Sequence, residues 1–153
     1  TCTGKDAGLV RRSISEQERG RLDDEFVYAY QEHLEKDQGL SREYLATYFV
    51  PYALERISED FAPLEHERTL TLGSGTELVM SFTLKPEDKH QVKKTSFVMN
   101  RIQRTCRIST YAKWVLPYIE GIRYDYHLSD GSLVRSISVD APTCEAMREK
   151  SMH

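Results

Sequence analysis

Asp125, His127, Ser136 and Ser138 come closest to a chemical set in this sequence. Asp125 and His127 alternate along one arm of a hairpin pattern and the two serines along the other, so all four share a face. A hydroxyl nucleophile, an imidazole base and an orienting carboxylate perform acyl transfer only at hydrogen-bond distance and beside a separate oxyanion hole. An open hairpin face offers neither pocket nor evident oxyanion donors. Cross-strand polar pairing is the expectation there, or a binding surface that also takes in Arg123, Arg135 and the hairpin tip at Asp130. His33, His66, His90, His127 and His153 are scattered, and none stands at zinc-ligand spacing from a Cys or another His. Gly73-Ser74-Gly75 lacks the rest of a dinucleotide fingerprint or P-loop and reads as a turn. Cys106 has Arg104 and Arg107 close in sequence but no adjacent His to activate it. No catalytic residue, metal or cofactor is expected, and the chain does not read as an enzyme.

The elements that would position these residues are legible. Ile122 to Leu128 and Leu133 to Val139 alternate apolar and polar residues around Ser129-Asp130-Gly131-Ser132, and Asp-Gly favours a tight hairpin turn. Thr69 to Leu72 and Glu77 to Leu84 form a second hairpin pattern around the Gly73 turn. Leu78, Met80, Phe82 and Leu84 share its buried face. Between the hairpins, the spacing predicts a helix from Lys89 to Arg107 that buries Phe97, Val98, Ile102 and Cys106. A shorter helix follows from Tyr111 to Leu116 and ends at Pro117. Upstream, Ser13 or Ser15 opens a helix to about Lys36, with Leu22, Phe26, Val27, Tyr30 and Leu34 on one face. Gly39 suits its C-terminal cap. Ser41 starts a second helix that Pro51 must interrupt. The expected fold is α+β: N-terminal helices, then two β-hairpins around a central helix, forming one antiparallel sheet of about four strands with helices on one face.

With 153 residues, 39% hydrophobic content and a net charge of −3, the chain fits one soluble globular domain. Residues 1–12 read as a flexible tether, 13–144 as the domain and 145–153 as a polar tail. No apolar run approaches the roughly 18–20 residues of a membrane-spanning helix. Residues 16–60 are acidic and 85–113 basic. Such faces suit solvation or a polar protein–protein surface, where charge sets on-rate and specificity. The basic segment carries no nucleic-acid motif and no interleaved aromatics, so no nucleic-acid partner is expected. Tyr28, Tyr30, Tyr44, Tyr48, Phe49 and Tyr52 fit either core packing or an anchoring groove.

The 3 cysteines are unevenly placed. Cys2 lies in a small polar leader, Thr1 to Gly8, while Cys106 and Cys144 flank the second hairpin and would staple helix to sheet if bonded. The bland alternative is a cytosolic domain with free thiols. The arrangement resembles a mature bacterial lipoprotein, in which an acylated N-terminal cysteine precedes a tether and a folded domain. That resemblance implies lipidation at Cys2, membrane contact through the anchor only, a Cys106–Cys144 disulfide formed after export, and a location facing the periplasm, as on an outer membrane. In organisation the chain is similar to the immunity lipoproteins of type VI secretion, which implies binding and inhibition of a secreted toxic effector. It is also similar to pilotin- or assembly-type accessory lipoproteins of secretion and pilus systems. A reading from another class is a small-ligand carrier or enzyme with a tyrosine-lined cavity.

Overall fold

In the computed structural model, residues 24–37, 39–56, 61–108 and 111–151 are described. The Cys2 tether, the Ser13 and Ser15 caps and Leu22 lie outside them. The chain divides into two compact units, Thr1–Glu59 and Asp60–His153.

In the first unit, α1 (Asp24–Asp37) is followed by a helical stretch over residues 42–56, α2. Ser41 caps α2 as expected, its hydroxyl accepting the Tyr44 N–H at 3.1 Å. Within α2, residues Leu45–Phe49 form a π-helical turn, and the Val50 N–H donates to the Leu45 carbonyl. Pro51 is one position further on and has no N–H to give. The widened turn just before it is how the helix absorbs the interruption expected there. Phe26, Tyr30 and Phe49 make a ring triangle with centroids 5.6–6.1 Å apart, joining α1 to α2. Gly39 is not among the glycines with positive φ, so it does not supply the left-handed cap expected of it.

The second unit carries a four-stranded sheet in the order β1 (Arg68–Leu72), β2 (Glu77–Leu84), β3 (Gly121–Leu128), β4 (Leu133–Val139). The two hairpins appear where period-two alternation puts them, and the fold is α+β. The middle pair differs from expectation. β2 and β3 run parallel, Glu77 opposite Gly121 through Leu84 opposite Leu128, so the sheet is mixed rather than antiparallel. The reason is the connection. From β2 the chain passes through α3 (Lys89–Lys93), α4 (Thr95–Arg107) and the turns Tyr111–Val115 and Leu116–Tyr118 before re-entering the sheet at the end where β2 began. Such a crossover delivers a parallel neighbour. A reciprocal pair fixes the register: Thr76 N–H donates to Glu120 Oε2 at 3.1 Å, and Glu120 N–H to Thr76 Oγ1 at 3.0 Å.

The expected single helix from Lys89 to Arg107 is two. Lys94 is extended between them (φ −72°, ψ 139°). Arg135 of β4 donates to the freed Lys93 carbonyl at 2.8 Å, which compensates the break. Of the residues read as a polar tail, 145–151 instead belong to α5 (Ala141–Ser151) and 152–153 lie outside the described residues. Asp140 caps it, accepting Thr143 N–H at 2.9 Å and Thr143 Oγ1–H at 2.6 Å. Core side chains Leu78, Met80, Phe82, Ile122, Tyr124, Tyr126, Ile137 and Val139 line one side of the sheet. α4 packs on that side, with Phe97 set edge-on to Tyr126 at 5.3 Å.

Candidate functional site

Two arrangements of polar side chains stand out, one on each side of the sheet. The buried one begins at Glu65. Pro63 opens a 3₁₀ turn, Pro63–Glu65, whose last residue folds back so that Oε1 accepts the Ala62 N–H at 2.8 Å. The same oxygen takes an N–H of Arg101 at 2.9 Å, and Oε2 takes the Tyr126 hydroxyl. The Glu65 and Arg101 side chains are each only 1% exposed. The Arg101 guanidinium also lies 4.7 Å from the Tyr124 ring centroid. Thr105 donates to the Arg101 carbonyl at 3.0 Å, so the 2.7 Å contact with Tyr124 has the phenol donating to Thr105 Oγ1. Burial, and then the Glu65 carboxylate, push the Tyr126 hydroxyl far above its ordinary value of 10. It therefore remains a hydrogen-bond donor throughout the neutral range.

Both Glu65 oxygens are thus committed within the fold. Above the cluster lies a cleft of 220 Å³, lined by Leu64, Gln91, Phe97, Asn100 and Arg104 besides Glu65 and Arg101. Chemically, the cluster locks the 61–67 segment to α4 and β3. A carboxylate already holding three donors is poorly placed to take a proton from a substrate.

Sequence reasoning missed this cluster and counted Arg101 within a basic, solvated face. A signal existed. Phe97, Arg101 and Thr105 recur every four residues on the stripe of α4 that meets the sheet, and Arg101 and Thr105 are buried there. Phe97, Val98, Ile102 and Cys106, all expected to be buried, are only half-buried. A second signal is Glu65 two residues after Pro63, the back-bonding position of a Pro-started turn.

The other face of the sheet carries most of the residues singled out from sequence. Arg123 is held between Glu77 (2.7 Å) and Asp125 (3.1 Å), with its side chain 36% exposed. Ser136 donates to Asp125 at 2.6 Å. Asp125 therefore bonds Ser136 directly, and His127 does not stand between them. His127 lies one step along the same face, beside Leu133 across the strand pair. Asp130 is at the tip, where its carboxylate accepts the N–H and hydroxyl of Ser132 at 2.8 and 2.6 Å. Those bonds hold its pKa below the ordinary 3.8. Arg135 is on the opposite side. Regular antiparallel pairing sets Arg135 across from Tyr126, on the face of Ile137 and Val139, and its guanidinium goes to Lys93 rather than to Arg123 and Asp125.

Cys106 and Cys144 are paired, with Cα atoms 5.3 Å apart across 38 positions of sequence. The bond joins the last turn of α4 to the first turn of α5. No known family matches the sequence, and searches among curated proteins and solved structures return no match.

Proposed function

We propose that this chain is a bacterial envelope lipoprotein, anchored through Cys2 and facing the periplasm, that acts by binding another protein, as an immunity inhibitor of a secreted toxic effector. The observation that carries the binding reading is the fixed lattice of Glu77, Arg123, Asp125 and Ser136 on three adjoining strands. Charges pre-set on rigid strands lose little entropy on association and favour a complementary partner by on-rate and specificity. Thr83 and Ser138, both exposed, extend this face toward a partner. The Cys106–Cys144 bond supports an oxidising compartment, where such pairs form and persist.

The tyrosine-lined carrier is less well supported. Tyr126 and Tyr124 stack on Phe82 at 4.8 and 6.1 Å, so they fill the helix-facing side of the sheet rather than border a void. A role as an accessory secretion lipoprotein shares the same anchored, protein-binding organisation and differs in partner.

The test is a titration against the secreted toxin encoded beside the gene. Toxin activity should vanish at equimolar protein. Ser138→Arg and Thr83→Arg, at exposed positions beside the lattice, should each weaken inhibition about tenfold or more, the scale of one well-placed interface contact. Full inhibition by both variants would remove the sheet face from the proposal. No inhibition by the unmodified protein would remove the immunity role.

A further inference from the structure

We infer that the Cys106–Cys144 disulfide is a site of exchange with a dithiol reductant, and that its cleavage releases α5 from the domain. The first ground is how α5 is held. It has 11 residues, and isolated helices shorter than about 12–15 residues are marginal in water. Cys144 is its only buried side chain among those described, at 4% exposed, while Glu145, Ala146, Arg148, Glu149 and Lys150 face solvent. Ala141, Thr143 and Met147 are half-buried, so the helix gains only modestly from apolar burial and the covalent link to α4 adds to a thin attachment.

The second ground is access. Both cysteines line a solvent-open cleft of 130 Å³ together with Gln103, Arg107, Met147 and Arg148. Cys106 is the more exposed of the two, which makes its sulfur the one that an incoming thiolate can reach. Cys144 sits in the first turn of α5, with Arg148 one turn on. The helix dipole and a neighbouring cation both stabilise a leaving thiolate there, and a better leaving group departs faster.

The chemistry balances with a dithiol as the electron source. One donor thiolate attacks Cys106 Sγ, forming a mixed disulfide and breaking the Cys106–Cys144 bond. The bonding pair leaves on Cys144 Sγ, which takes a proton. The donor's second thiolate then attacks its own half of the mixed disulfide, and Cys106 departs and is protonated. Two electrons and two protons pass to the protein, and the donor ends as a disulfide.

The experiment is hydrogen exchange by mass spectrometry on the full chain in a Cys2→Ser background, with and without dithiothreitol and without denaturant. The bond should be reduced in the folded protein. Amides from 144 to 151 should then exchange at least about tenfold faster, while β2 and β3 keep their protection, as expected for local rather than global opening. Arg148→Glu should slow reduction several-fold and leave exchange in the oxidised protein unchanged. Resistance to dithiothreitol until denaturant is added would overturn the inference. So would undiminished protection of α5 after reduction, loss of sheet protection together with α5, or an unchanged reduction rate in the Arg148 variant.

Discussion

Glu65→Gln is the substitution that most sharply probes how the sheet-bearing unit is held together. The glutamine keeps the shape but removes the countercharge from Arg101, whose side chain is 1% exposed and so gains no screening from water. It also puts an amide donor where Oε1 now accepts from Ala62 and Arg101 and Oε2 from Tyr126. Breaking a buried pair by removing one partner costs about 3–5 kcal/mol, because the remaining charge is left uncompensated. Urea unfolding should show that loss as a lower midpoint at unchanged slope, which separates stability from a change in compactness. The double variant Glu65→Leu with Arg101→Met removes both charges and should be far closer to the unmodified protein than Glu65→Gln is. A loss below about 1 kcal/mol for Glu65→Gln would be the behaviour of a solvated surface pair, and would refute the reasoning.

Three further outcomes follow from single contacts. Tyr126 has its folded pKa above the unfolded value of 10, so its contribution to stability is fully present below that pH and is lost as pH rises beyond it; a stability–pH curve should fall more steeply above pH 10 for the native protein than for Tyr126→Phe. Asp140 titrates below its ordinary 3.8 because Thr143 bonds its carboxylate, so its capping contribution is present above that value and fades at lower pH. At neutral pH, Asp140→Ala should cost about 0.5–2 kcal/mol by chemical denaturation. Gly75 has φ 58°, and an added Cβ would meet Glu120 Oε2 at 2.5 Å; Gly75→Ala should destabilise by about 1–2 kcal/mol in the same assay.

The parts of this fold that were readable in the sequence are those set by neighbours along the chain. Period-two alternation located all four strands, and Asp130-Gly131 and Gly73-Ser74-Gly75 located both turns. Gly131 (φ 89°) and Gly75 (φ 58°) supply the positive φ that those turns require. What was not readable depends on partners far away. Arg101 looked like one more charge in a basic run because its carboxylate is 36 positions upstream. The direction of β3 relative to β2 is decided by the crossover through α4, not by either hairpin. Grouping Arg135 with Arg123 as one surface was a misreading: strict alternation puts Arg135 with Ile137 and Val139, on the face opposite Arg123. α5 was invisible to an apolar-stripe search, since it buries one side chain; its signal was the cap, Asp140 three residues before Thr143.

The most direct measurement for the proposed role is intact mass, with and without alkylation under non-reducing conditions, on protein produced from its full gene. An acyl-glyceryl mass on Cys2 together with no alkylation at Cys106 and Cys144 is the predicted result. Unmodified Cys2 and three alkylated thiols would contradict it, and would take the envelope location and the immunity role away together.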